Sequence, residues 1–241
     1  MSGSEAVARR LIALAAALAL AGSQAAEAQQ RDPDNPTCPR SPNWSNYPQM
    51  RFTVQTVNGR PVLLAEGQID DDLMPRLRAA LRTFQGDEIW LRSPGGNARV
   101  GNQAGHLIRE NNLSTRIPAG WACFSACNFM FMGGQIRAVD PGGQFIVHMF
   151  THTEDRQAIR SNVAQGEENT VGLITEIEQS SALLASEDND FLIRMGISRR
   201  LLSEVMYRQR AVADGADRST RRCLTQAEAI RYNVATSVTP D

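Results

Sequence analysis

The chain has no lysine; all 25 of its basic residues are arginine. A lysine general base, which several serine hydrolases use, is therefore excluded. Histidine is scarce. Three in 241 residues confine imidazole chemistry to His106, His148 and His152. A surplus of charge is also lacking, with 25 basic against 26 acidic side chains. No basic run stands out, so nothing marks a nucleic-acid footprint. No apolar run reaches the ~20 residues of an ordinary membrane span.

What is present begins at the amino terminus. Arg9 and Arg10 precede an apolar run from Leu11 to Ala21, and Ala26-Glu27-Ala28 supplies an A-x-A cleavage site. This is the layout of a secretory signal peptide, so residues 1–28 are expected to be removed and the mature chain to be periplasmic. Cleavage leaves residues 29–241, one domain able to bury its own core. Arg9 and Arg10 leave with Glu5 and Glu27, so the mature charge stays near zero.

There are four cysteines, Cys38, Cys123, Cys127 and Cys223. An even number in an exported chain points to disulfides. Two pairs allow three connectivities, and spacing alone does not choose among them. Bridging Cys123 to Cys127 would brace the turn at Ser125. Cys38 and Cys223 would then tie the amino-terminal arm to the carboxy-terminal region. A zinc site is the rival, but the histidines stand far from the cysteines in sequence, and no metal is expected.

Residues 29–50, rich in Pro, Asn and Asp, read as an irregular arm before the domain at 51–241. Alternation over 51–57, with Phe52, Val54 and Val57, predicts a strand. Asn58-Gly59 then predicts a hairpin turn, and residues 61–65 the return strand. Asp70, Asp71 and Asp72 are candidate caps for a helix bearing Leu73, Leu77, Ala80, Leu81 and Phe84 on one face. Residues 88–91 form a buried strand, 98–110 a helix, 113–118 a strand, 125–132 a buried helix, and 136–139 and 145–149 further strands. Alternation of this kind predicts βαβ units.

A long helix runs from 167 to 195, with Ile177, Leu184 and Phe191 recurring along one stripe beside Val171 and Ile174. Such a stripe is core or subunit contact, and it predicts a homo-oligomer. Ser198 caps a shorter helix through Tyr207, residues 211–222 read as a loop, and Thr225 caps a last helix.

Three stretches combine into one chemistry: Ser93-Pro94-Gly95-Gly96, Cys123-Phe124-Ser125-Ala126-Cys127 and Ile146-Val147-His148. A glycine pair after a strand can aim N–H groups at an oxyanion. A serine among small residues suits a sharp turn into a helix. A histidine closing an apolar strand can reach it as a general base. Ser125 is the candidate nucleophile, His148 the base, and Gly95, Gly96 and Ala126 the oxyanion donors. His152 is a second candidate base, and His106 reads as surface or structural.

From about Leu63 to Val238 the chain resembles the Clp protease proteolytic subunit and its periplasmic ClpP-like relatives. Glu66-Gly67-Gln68-Ile69-Asp70 resembles the G-x-I-D before that family's first helix. Leu91-Arg92-Ser93-Pro94-Gly95-Gly96 is similar to its oxyanion loop, Phe124-Ser125-Ala126 to its nucleophile segment and Val147-His148 to its base. Residues 167–195 resemble its handle helix, and Cys223-Leu224-Thr225-Gln226-Ala227-Glu228-Ala229 its terminal segment.

The resemblance implies an α/β ClpP/crotonase-like fold of repeated ββα units with a long handle helix. It places the triad acid just before the terminal segment. Direct spacing puts Arg221 there; Asp217 is the nearby candidate, with Asp214 beside it. The implied activity is that of a serine peptidase, or related acyl hydrolase, acting on peptides or unfolded protein without cofactor. In an exported location no ATPase partner is expected. The alternatives are an inactive peptide- or partner-binding protein and an acyl-CoA enzyme, the latter disfavoured because CoA is cytosolic.

Overall fold

The computed structural model describes residues 31–32, 35–153, 155–213 and 220–237. The leader at 1–28 and the aspartates Asp214 and Asp217 lie outside the described residues. The arm is not wholly irregular, because β1 (Arg31–Asp32) and β2 (Asn35–Pro39) pair antiparallel.

Asn58-Gly59 makes the expected hairpin between β3 (Arg51–Val57) and β4 (Arg60–Glu66). Asn58 and Gly59 take φ of 49° and 77°, the left-handed pair that a twisted two-residue turn needs. The two strands differ in burial. Leu63 and Ala65 of β4 are buried, whereas Val54 of β3 is 55% exposed. Alternation therefore marks β3 as a strand without burying a face of it, because β3 is the edge of the sheet and only its half-buried Phe52 packs against the core.

From β4 the chain passes through β5 (Glu88–Arg92), β6 (Ser114–Ile117) and β8 (Arg137–Val139), all parallel, in a sheet of order β3-β4-β5-β6-β8. Helices α1 (Leu73–Thr83) and α2 (Ala98–Glu110) make the first crossovers, burying Leu73 and Leu77, then Ala104, Leu107 and Ile108. Asp72 is the N-cap of α1 but makes no capping bond. Its neighbour Asp70 instead accepts from the Asp72 N–H and pairs with Arg76.

A second sheet is set against the first. Its order is β10-β9-β7, from β7 (Ala122–Phe124), β9 (Gln144–His148) and β10 (Arg221–Cys223). β10 begins in the stretch that reads as loop and β7 lies where the sequence assigns no element, since three-residue strands carry too little periodicity to register. One bridge, Ser93 with Cys123, joins the two sheets. Helix α3 (Cys127–Met132) is buried along its whole length against α2. Two glycines permit that approach: a Cβ at Gly105 would stand 2.4 Å from the Phe129 carbonyl oxygen, and one at Gly133 2.2 Å from that of Gly105.

The periodicity also omits α4 (Arg156–Ala164), a surface helix without a buried residue, capped by Asp155. It finds α5 (Glu167–Met195), which Gly196 ends at φ 71°. A π turn (Leu201–Val205) and a 3-10 turn (Met206–Arg208) follow, then α6 (Gln226–Arg231), closed by a Thr225–Glu228 capping box. Along α5 only Asp188, Phe191, Leu192 and Met195 are buried. Ile177 and Leu184 are half-buried, and Val171 and Ile174 are 55% and 50% exposed. Within one copy the stripe is core at its carboxy-terminal end only.

Arginine does structural work that lysine's single ammonium does poorly. Arg137 is buried, and its guanidinium donates to the carbonyls of Gly134, Asn233 and Val234, tying β8 to the carboxy-terminal segment. Burial pulls it down to about 10, still protonated at neutral pH. Arg109 donates to the carbonyls of Gly133 and Gly134 at the end of α3. Among the described residues no helix is long and apolar enough to cross a membrane.

Candidate active site

Strand β7 ends at Phe124 and helix α3 begins at Cys127, so Ser125 and Ala126 must turn the chain between them. Ser125 does so at φ 56°, a left-handed conformation uncommon for a residue with a Cβ. Such strain persists only where the surroundings hold it. Here the Cys123–Cys127 disulfide brackets the turn, with a Cα–Cα separation of 5.4 Å. The Ser125 carbonyl also accepts from Asn128 N–H at 2.9 Å.

His148 closes β9, which runs parallel to β7, with Phe124 opposite Ile146. This register brings the imidazole to the serine: His148 Nε2 is 2.7 Å from Ser125 Oγ. The Phe124 ring lies 4.7 Å from the imidazole and stacks in turn on Trp44, at 5.6 Å. The arm thus backs the site. The Asn43 carbonyl accepts from Ala122 N–H, and a Cys38–Cys223 disulfide ties β2 to β10 across 185 residues, with a Cα–Cα separation of 5.0 Å. The four cysteines therefore pair Cys38 with Cys223 and Cys123 with Cys127, one of the three connectivities open to the sequence.

The glycine loop lies directly on the serine turn. A Cβ at Gly95 would stand 2.7 Å from Ser125 Cβ and 3.1 Å from Ala126 N. Gly95 and Gly96 take φ of 87° and 144°. Gly95 N–H is used internally, donating to Ser93 Oγ at 3.0 Å. The N–H groups of Gly96 and Ala126 make no hydrogen bond with any described residue.

The remaining predicted residues lie elsewhere. His152 is 3.3 Å from Ser180 Oγ and rests on Phe150, away from Ser125. His106 packs edge-on against Phe191 at 5.0 Å, and burial lowers its pKa, with Arg194 adding to the effect. Arg221 is paired opposite His148 in the register of β10 on β9.

A cleft opens beside the serine, lined by Ser125, Asn128, His148, Phe150, Leu184, Asp188 and Tyr207 among others. Asp188 is the residue that sequence reasoning missed. Burial, with Glu187 adjoining, raises its carboxyl from 3.8 to about 7. The signal was present: Asp188 interrupts the apolar stripe between Leu184 and Phe191, where a charge has no reason to face the core.

Among solved structures, a point mutant of ClpP1 from Listeria monocytogenes is similar to this chain, with a TM-score of 0.50 and 14% identity, over 75% of this chain and 91% of that one. At that identity the likeness is one of fold. No protein-family model and no curated protein matches the sequence. Fold and site define the class: an α/β protein of ClpP-like fold whose cleft holds a hydrogen-bonded serine–histidine pair.

Proposed function

We propose that the protein is an exported, ATP-independent serine peptidase or related acyl hydrolase. The observation that carries this reading is the 2.7 Å contact between His148 Nε2 and Ser125 Oγ, made by a serine in a left-handed strand-to-helix turn. Ser125 Oγ attacks the substrate carbonyl as His148 takes its proton, and the imidazolium then returns that proton to the leaving group. The N–H groups of Gly96 and Ala126 face the developing oxyanion, each such donor being worth about 3–4 kcal/mol. Gly95, whose N–H is held by Ser93, shapes the loop instead of donating. Asp217 is the proposed third member, orienting and charge-stabilising the imidazole. The substrate class is peptide or unfolded protein.

The exposed amino-terminal half of α5 supports a homo-oligomer, because its apolar stripe is left uncovered by a single copy. The second reading, an inactive peptide-binding protein, is favoured by Arg221 standing opposite His148. Fluorophosphonate labelling separates the two. The hydrolase labels at Ser125 and Ser125→Ala does not; a folded wild-type protein that never labels overturns the hydrolase.

A further inference from the structure

We propose that the cleft beside Ser125 is a cation-selective subsite. In it Asp188 receives the guanidinium or ammonium of an arginine or lysine side chain adjoining the carbonyl that Ser125 attacks. The catalytic half of this statement rests on the hydrolase reading; the binding half rests on the cleft alone.

Asp188 is 6% exposed, and its Oδ1 is buried without a hydrogen-bond partner. It forms no ion pair with any described residue. Asn128, which lines the same cleft, carries a second bare acceptor. Asn128 Nδ2 donates to the Ile146 carbonyl at 2.7 Å, and because a carbonyl only accepts, the amide orientation is settled. Asn128 Oδ1 is then also an acceptor buried without a partner. Two acceptors without a donor make a cleft that waits for N–H groups.

The groups around Asp188 do not supply them. Glu187, its neighbour on α5, is held 3.6 Å from Arg99 of α2. Tyr207 shares the cleft wall and is itself shifted upward by burial and by Asp188. His148 lines the cleft too, engaged with Ser125. With its carboxyl raised to about 7, Asp188 exchanges readily between acid and anion near neutral pH, and an arriving cation favours the anion.

An apolar side chain would fill the cleft and leave both oxygens unsatisfied, which selects against it. The cleft encloses about 410 Å3 counting its open mouth. Phe150 and Tyr207, which also line the cleft, are 37% and 41% exposed. Their aromatic faces suit the aliphatic stem and the cationic head of such a side chain.

The test compares N-acyl arginine, lysine and leucine thioesters on the full protein, with fluorophosphonate labelling of the wild type and calorimetric binding of benzamidine alongside. Wild-type protein is expected to prefer arginine and lysine over leucine by at least tenfold in kcat/KM. Asp188→Asn, which keeps shape but not charge, is expected to cut that ratio and benzamidine affinity at least tenfold each. A protein that labels but prefers leucine overturns the subsite and leaves the hydrolase standing. A protein that never labels, yet binds benzamidine through Asp188, keeps the subsite and discards the hydrolase. Benzamidine that does not bind, or binds Asp188→Asn equally well, overturns the subsite whatever the labelling shows. Should Asp188→Asn not fold by near-ultraviolet circular dichroism, the wild-type thioester preference decides alone.

Discussion

The cleft has two walls of different construction. The Ser125 wall is made of strand ends and one buried helix. A parallel register sets His148 against Ser125, a disulfide brackets the serine, and the glycine loop lies within Cβ contact of it. The opposite wall is a long helix that is buried only towards its carboxy-terminal end, and it offers an Asp188 oxygen without a partner among the described residues. The first wall sets its groups by strand register and a disulfide, the kind of constraint that bond making requires. The second is fastened by side-chain contacts, among them the Arg99–Glu187 pair and the Ser180–His152 contact, and carries the proposed cation acceptor. Backbone constraint gathers on the serine wall, and unsatisfied polarity on the helix wall.

The largest effect is expected from breaking the first wall at its centre. Ser125→Ala should abolish fluorophosphonate labelling and lower hydrolysis by roughly 10⁴-fold or more, with the circular dichroism spectrum unchanged. His148→Ala should match it, because nucleophile and base act as one unit and their losses do not add.

Next comes the staple behind that wall. Cys38–Cys223 closes a loop of 185 residues. By loop entropy its loss through Cys38→Ser should cost about 3–5 kcal/mol of stability, read by denaturant unfolding without reductant. A melting midpoint indistinguishable from wild type would show that the arm is not tied to the site.

The second wall is tested by pH. Burial raises Asp188 from 3.8 to about 7, so between those values the folded chain holds a proton that the unfolded chain has released. The wild type should therefore lose stability as pH rises from about 4 to about 7 and level off above. Asp188→Asn should equal the wild type at pH 4 and exceed it at pH 8 by as much as about 3–4 kcal/mol, at about 1.4 kcal/mol per pKa unit. A pH-independent difference between the two would mean that the carboxyl titrates normally.

The exposed half of the same helix gives a smaller change. Ile174→Glu should shift light scattering from the predicted oligomer towards monomer while the monomer's helix content holds. Wild-type protein that is already monomeric at micromolar concentration would remove the basis for it.

The smallest effect belongs to His152, which contacts Ser180 and Phe150 and not Ser125. His152→Ala should change hydrolysis by less than about twofold. A dead His152→Ala beside an active His148→Ala would overturn the choice of base.

How much was legible follows from how each signal arises. β3, β4, α2 and α5 are long enough for their periodicity to register, and the Asn58-Gly59 turn carries its own conformational requirement. β7 and β10, three residues each, exist because distant partners hold them, and nothing local announces that. α4 escaped because it buries no residue. The outward face of β3 was hidden for the same reason in reverse, since alternation reports two faces without saying which is covered.

The amino-acid order alone determined which chemistry was available. A chain without lysine leaves histidine as the base, four cysteines can make two bridges, and glycines at 95 and 96 can take a backbone that other residues take only under strain. These are properties of residue type and survive any fold. Only the tertiary structure decided which serine meets which histidine, that Cys38 finds Cys223, that Gly95 is held by Ser93 while the N–H groups of Gly96 and Ala126 stay open, and that an aspartate of α5 faces the serine across a cleft. Each of these joins residues far apart in the chain, and such contacts are set by sheet register and helix docking, to which no short stretch of sequence is sensitive.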